Sequence, residues 1–261
     1  MSNILSTQDD AKVVSLFDIS INALTIDQVL DCIHTAITHR HSLHIGVVNA
    51  ANVVNIHRNP ELGRDVKSSD LILADGIAVV WASKLLGRPL PERITGIEIM
   101  EGIFQRGMLH GYRVYCLGAT EETSKTVAER LTRDYPGVTL AGRRNGYFSD
   151  AEEESIAKEI ANSKADVLLV AITSPKKEYF MARWNDIMKV PVVHGVGGSF
   201  DVMAEKVKRA PALWQKLGLE WLYRIKQEPG RLWKRYLVTN TLFCWMLLKE
   251  FFLQRLGGSA K

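Results

Sequence analysis

The sequence holds only three cysteines in 261 residues, Cys32, Cys116 and Cys244. They lie far apart, with no C-x-x-C and no Cys/His ligand spacing. That excludes a cysteine-built metal module and fits a reducing cytosol. No D-x-D occurs anywhere. The usual acidic clamp for a divalent metal on a diphosphate is therefore missing, and neither a metal nor a cofactor is expected. Walker A, G-x-S-x-G and strict G-x-G-x-x-G patterns are absent too. The stretch from Met1 to Asp10 is polar and lacks an apolar core behind basic residues, so no signal peptide is read. The uncharged run from Tyr236 to Leu248 is 13 residues, too short for a bilayer span of about 20.

What is present is ordinary in amount and uneven in placement. Hydrophobic content is 46% and charged content 24%, values of a globular α/β chain. The net charge is +4, yet positions 206–261 carry twelve Lys/Arg against three Asp/Glu, a net of +9, which leaves −5 on the first 205 residues. A basic tail on a mildly acidic body points to an anionic partner: nucleic acid, lipid headgroup or phosphorylated ligand. The plainer reading is a solvated basic face.

Residues 1–12 read as disordered, and Val13 to Ile21 as a first strand. Thr25-Ile26-Asp27-Gln28 is a capping box opening a helix to about His39. Apolar runs then alternate with helical stretches. Strands are expected at Leu43–Val48, Leu71–Ala74, Arg113–Leu117, Val138–Ala141, Asp166–Ala171 and Val190–His194. A second capping box starts at Thr95 and includes Glu98. The strands are continuously hydrophobic, which predicts a parallel sheet covered on both faces. The expected organisation is a catalytic body over 13–205 and a helical, basic appendage over 206–261.

In that appendage, Trp214, Trp221, Tyr223, Trp233, Tyr236 and Trp245 interleave with lysines and arginines. Such a pattern suits a membrane interface. A pair of core-packing helices with a basic outer face would produce it as well.

Ligands of a doubly wound sheet bind beyond the carboxyl ends of its strands. Asn49, Asp75, Gly118, Ser174 and Gly197 stand at those ends. Asp75 is the one carboxylate directly after a wholly apolar strand. It is placed for general-base work or for capping the next helix. Asn49 is placed to bond a sugar or base, or to cap its own helix. The turn Gly195-Val196-Gly197-Gly198 lets the backbone approach a phosphate-bearing ligand. With no acidic metal clamp, arginines would have to neutralise a leaving diphosphate. Arg224 and Arg231 have a spacing that puts them on one side of a helical tail; as surface charges they would do nothing of the kind.

Several stretches together resemble the WecG/TagA/CpsF family of glycosyltransferases. They are Ala74-Asp75-Gly76, Arg93-Ile94-Thr95-Gly96, Gly146-Tyr147-Phe148, Gly195 to Asp201, Val207-Lys208-Arg209-Ala210-Pro211, Gly218-Leu219-Glu220-Trp221-Leu222-Tyr223-Arg224, and Glu228-Pro229 through Arg231-Leu232 to Arg235-Tyr236. The resemblance implies a Rossmann-like body and a C-terminal appendage that docks on the membrane and completes the site. It implies transfer of a sugar from a UDP-sugar to a polyprenyl-diphosphate-linked saccharide, with inversion and without a metal. Asp75 would be the general base and Asn49 would lie in the pocket. Arg93 and Asp201 would fall at nucleotide-sugar positions, and Arg224 and Arg231 would meet the diphosphate; Lys177, Gly197 and Gly198 are read beside them as further substrate-binding residues. Two departures stand out. Val47 replaces a threonine that many members have, and Lys177 replaces the glutamine of Pro-Lys-Gln-Glu. They leave the donor open between an N-acetylmannosamine, a neutral hexose and a uronate.

The reading is thus a peripheral enzyme of the cytoplasmic membrane face, serving exopolysaccharide or cell-envelope glycan assembly, with no nucleic-acid partner. Its rivals are a nicotinamide-dependent oxidoreductase, from the glycine turn, and a non-catalytic membrane-binding scaffold, from the tail.

Overall fold

In the computed structural model, which describes residues 13–216, 218–227 and 229–257, six parallel strands form one sheet. In chain order the elements begin with strands β1 (Val13–Leu16) and β2 (Ile19–Asn22), helix α1 (Ile26–His39), β3 (Leu43–Val48), α2 (Ala50–Arg58) and α3 (Pro60–Lys67). Next come β4 (Leu71–Ala74), α4 (Ile77–Leu85), α5 (Gly96–His110), β5 (Arg113–Gly118), α6 (Glu121–Asp134) and β6 (Thr139–Arg144). A short 3-10 turn, Asp150–Glu152, leads into α7 (Glu153–Asn162), followed by β7 (Val167–Ala171), α8 (Lys176–Met188), β8 (Val192–Gly195) and α9 (Ser199–Met203). The tail is α10 (Ala212–Lys216), α11 (Glu220–Gln227) and α12 (Pro229–Gly257). The expected disorder of residues 1–12 lies outside the described residues.

The sheet order is β4-β3-β8-β7-β5-β6, all parallel. Alternate residues of the apolar strands feed opposite cores. Leu71 and Leu73 join α1, α5 and α6, whereas Ile72 and Ala74 join α2, α3 and the β1–β2 hairpin. Leu169 and Val192 face the first layer, and Leu168, Val170 and Val193 face α7 and α8. Both faces are therefore dry, which is why these strands read as unbroken apolar runs. The helix starts follow from their caps. Thr25 with Gln28, and Thr95 with Glu98, make reciprocal capping boxes, and Asn59 caps α3 ahead of Pro60.

Two strand expectations need correction. Val13–Ile21 is a hairpin of two strands outside the main sheet, turned at Phe17 and Asp18, both left-handed. It rests against the body where the Asn22 side-chain oxygen accepts from the Ile72 N–H at 2.9 Å. Strand β6 runs on to Arg144, past Ala141. It is an edge strand, and Arg143 and Arg144 are held there by Glu121, Glu152 and Glu159.

The tail does not stand apart. Phe243 of α12 is buried, its ring 5.1 Å from that of Phe17, and Leu242, Met246, Leu247 and Phe251 pack around it on the hairpin and α2. Glu250 accepts from the Phe17 N–H at 3.0 Å. The opposite face of α12 exposes Trp233, Leu237, Trp245, Leu248, Phe252 and Leu256, each at least half accessible. The core-packing reading holds for one face, while an apolar surface covers the other. None of the described helices is long and apolar enough to cross a membrane.

Candidate active site

The parallel sheet brings its carboxyl ends to one edge, and β4, β3 and β8 are neighbours there. Asp75, Asn49 and the glycine turn consequently stand side by side. The ladder runs one residue past β4, because the Asp75 N–H donates to the Val48 carbonyl at 3.0 Å. Gly76 comes so close to Asn49 that an added Cβ would lie 2.9 Å from the Asn49 Cβ. Any larger residue would push the two strand ends apart. The Ile94 N–H bonds to the Ala74 carbonyl at 2.9 Å, drawing Arg93 over the end of β4.

Of the two roles open to Asp75, capping is not the one observed. Helix α4 has Gly76 as its cap residue and no side-chain cap. The Asp75 carboxylate instead faces Asn49, whose Nδ2 lies 3.5 Å from Asp75 Oδ2. Asn49 does both things expected of it. Its Oδ1 accepts from Ala51 and Asn52 at the start of α2, which fixes the ring of bonds that aims Nδ2 at Asp75. Burial pushes the Asp75 carboxyl above the usual carboxylate range and Glu220 adds to that, against the pull of Arg224, the Asn49 amide and Arg93.

The cations arrive from two directions. Arg93, only 14% exposed, places Nη1 3.0 Å from Glu220 Oε2 and Nη2 3.7 Å from Glu98 Oε1. Arg224 of α11 places Nη2 3.6 Å from Glu220 Oε1. Arg209 bonds Glu98 at 2.8 Å. For Glu98, burial works upward, but the Thr95 N–H and hydroxyl with Arg93 and Arg209 together hold its carboxyl below the usual range. Glu220 and Arg209 have no sequence signal of their own and gain their places only in the fold. Glu98 is the cap its position predicts and also anchors two arginines.

Arg224 lies in α11 and Arg231 in α12. The Arg231 side chain lies outside what is described. Lys177 stretches across the end of β8. A Cβ on Gly195 would meet its Cδ and Cε at 2.8 Å, and its Nζ pairs with Glu178 at 3.2 Å. Gly197 is left-handed at φ +53, and a Cβ at Gly197 or Gly198 would meet nothing within 4 Å, so the turn faces open space. Asp201 lies in α9, and its carbonyl accepts from the N–H groups of Lys206 and Val207, fastening the start of the basic stretch. Val47 is partly buried against the core layer of α1 and α5.

Beneath the glycine turn, His194 is fully buried, its ring nitrogens 3.2 Å from the Ile45 carbonyl and 3.3 Å from that of Gly96. Desolvation brings its pKa down to about 4, so it is a neutral strut and not an acid at neutral pH. Among the described residues, no three His, Cys, Asp or Glu side chains are grouped to hold a metal ion. The arrangement offers a carboxylate of raised proton affinity beside an amide donor, with guanidinium groups at its rim. Chemically, it can take a proton and receive an anion.

An N-acetylglucosaminyldiphosphoundecaprenol N-acetyl-beta-D-mannosaminyltransferase of Bacillus spizizenii is 38% identical over 180 residues, 69% of this chain and 69% of that protein. A protein of the same name from Bacillus subtilis is 36% identical over 172 residues, 66% of each chain. The family model described as "Glycosyl transferase WecG/TagA/CpsF family" matches residues 14–257. The chain belongs to the WecG/TagA/CpsF family of glycosyl transferases.

Proposed function

We propose that this protein moves a sugar from a UDP-sugar to a saccharide carried on polyprenyl diphosphate, in one inverting step that needs no metal. The observation that supports this most is Asp75. It is a carboxylate of raised proton affinity at a strand end, uncommitted to capping, with Asn49 at 3.5 Å and the charges of Arg93 and Arg224 around it. In the step, the Asp75 carboxylate takes the proton of the acceptor hydroxyl as that oxygen bonds to the anomeric carbon. The bond from that carbon to the UDP oxygen breaks on the opposite face. The electron pair leaves with UDP, whose diphosphate is met by Arg93, Arg224 and Arg231. Lys177, Gly197, Gly198 and Asp201 would line the donor side, and Asn49 would hold Asp75 or the incoming sugar.

The relatives' names specify N-acetylglucosaminyl-diphosphoundecaprenol as their acceptor, and an acceptor of that class is the one to try first here. The donor sugar stays open at Val47 and Lys177. The tail, 206–261, would be an appendage that lies on the cytoplasmic face of the membrane. Its support is the exposed apolar face of α12 together with Lys234, Lys249 and Arg255. Membership of a glycosyltransferase family weighs against the oxidoreductase and scaffold readings.

The test is product formation from a panel of UDP-sugars with a short polyprenyl-diphosphate-linked N-acetylglucosamine, with and without excess EDTA. The expected result is one preferred donor, an inverted anomeric centre in the product and unchanged turnover in EDTA. Turnover abolished by EDTA and restored by Mg²⁺ or Mn²⁺ would sink the metal-free step.

A further inference from the structure

Glu220 opens α11 and sits between two arginines that belong to different parts of the molecule. Its side chain is 21% exposed, with Oε2 3.0 Å from Arg93 Nη1 and Oε1 3.6 Å from Arg224 Nη2. Arg93 comes from the loop over β4, and Arg224 lies one helical turn beyond Glu220. Arg93 has a second carboxylate, Glu98, at 3.7 Å. One carboxylate of the tail thus spans the pair of guanidinium groups that, on the reading above, receive the diphosphate. A carboxylate brings one negative charge and two oxygens. A diphosphate brings more of both and satisfies guanidinium donors better. Two anions cannot occupy the same donors, so whichever binds displaces the other.

Resting on that reading, we propose that Glu220 is a built-in competitor for the diphosphate, a carboxylate that pairs Arg93 and Arg224 between turnovers and yields them when UDP-sugar binds. It keeps α11 fastened to the body when no diphosphate is there, and it lowers affinity for the product that must leave. It also faces the base. The charged and polar groups around Asp75 are Arg224, Glu220, Asn49 and Arg93, and Glu220 is the one that raises its proton affinity. Neutralising Glu220 should make Asp75 easier to ionise, and removing Arg224 should make it harder.

The experiment measures pyrophosphate and UDP binding by calorimetry on the full chain, with Glu220→Gln, Glu220→Asp and Arg224→Ala alongside. Glu220→Gln should bind pyrophosphate and UDP about fivefold tighter than the parent, the worth of roughly one partly screened ion pair. Arg224→Ala should bind both more weakly. The acid limb of kcat/KM should move to lower pH in Glu220→Gln and to higher pH in Arg224→Ala, a pair of opposite shifts that a merely structural role would not give. If Glu220→Gln melts below the assay temperature, Glu220→Asp carries the test. Its shorter carboxylate reaches both arginines less well, and pyrophosphate should again bind tighter. Equal or weaker pyrophosphate binding in the folded variant overturns the competitor role. Tighter pyrophosphate binding in a protein that does not bind UDP would leave that role intact and sink the UDP reading instead.

Discussion

The two sides of the site are held by different physics. On the body side, Asn49 and Asp75 are placed by main chain. Asn49 follows β3 directly and caps α2, and Asp75 follows β4, with the hydrogen bonds of the sheet continuing into its N–H. On the tail side, Arg224 is half exposed and is placed by a 3.6 Å ion pair on an eight-residue helix. Strand ends fix geometry to tenths of an ångström, which proton transfer requires. A short helix held by side-chain ion pairs can adjust, which suits neutralising a charge that grows and then departs. The comparison assigns geometry to the body and charge to the tail.

The sharpest way to break that assignment is Asp75→Asn. The substitution keeps the shape and removes the proton acceptor. Turnover should fall about 10²–10⁴-fold, with the melting temperature close to that of the parent because no cap is lost. In the parent, the base must be ionised to act, and burial raises its proton affinity. The acid limb of kcat/KM should therefore lie above the ordinary aspartate value of 3.8. Near-parent turnover in a folded Asp75→Asn protein would leave the strand end without its catalytic role.

Arg224→Ala tests the other side. A fixed donor aimed at developing charge is worth about 10²–10³ in turnover, by analogy with oxyanion-site donors, and lysine should restore only part of it because it lacks the two-pronged donor set. Lys249→Ala, a tail cation away from the site, should leave turnover nearly unchanged. If both substitutions reduce activity in proportion to lost membrane binding, the tail's charge serves anchoring alone.

How much of this was legible beforehand follows the same divide. The strand ends were readable because a buried parallel strand is an unbroken apolar run, and the residue after it is at the ligand edge by topology. That is how Asn49, Asp75 and Gly197 were found. The lateral order of the strands was not readable, since nothing in Leu71–Ala74 says which strand it pairs with. The hairpin at Phe17 and Asp18 was missed because its turn lacks glycine, and a phenylalanine at positive φ carries no turn signal. Edge strand β6 was cut short because Arg143 and Arg144 look like loop residues until their carboxylate partners on α6, α7 and the adjoining 3-10 turn are known. Lys177 came from resemblance alone; only the folded chain places it against Gly195. Glu220 had no signal of its own, since its partners are 127 residues back at Arg93 and four ahead at Arg224.

Helix α12 allows the comparison to be repeated inside a single element, at smaller energy. Its two faces carry similar residue types in different surroundings. Phe243 is 4% exposed, packs with its ring tilted against that of Phe17 and fills the layer between α2 and the hairpin. Trp245, two positions on and across the helix, is 66% exposed. Removing a buried phenylalanine leaves a cavity as well as losing apolar burial, so Phe243→Ala should cost about 3 kcal/mol of unfolding free energy. Trp245→Ala leaves no cavity, and its effect on stability should stay within about 0.5 kcal/mol, as for most surface positions. If the outer face lies on a membrane, the order reverses for lipid. An indole at the interface is buried there, so Trp245→Ala should weaken binding to anionic liposomes. Phe243→Ala, assayed well below its melting temperature, should not. Denaturant unfolding and liposome sedimentation of the two variants separate the faces. Equal liposome binding by the parent and Trp245→Ala, or a large stability loss in Trp245→Ala, would show that the outer face is covered by protein and that the tail's hold on the body, not on lipid, is what its aromatic residues supply.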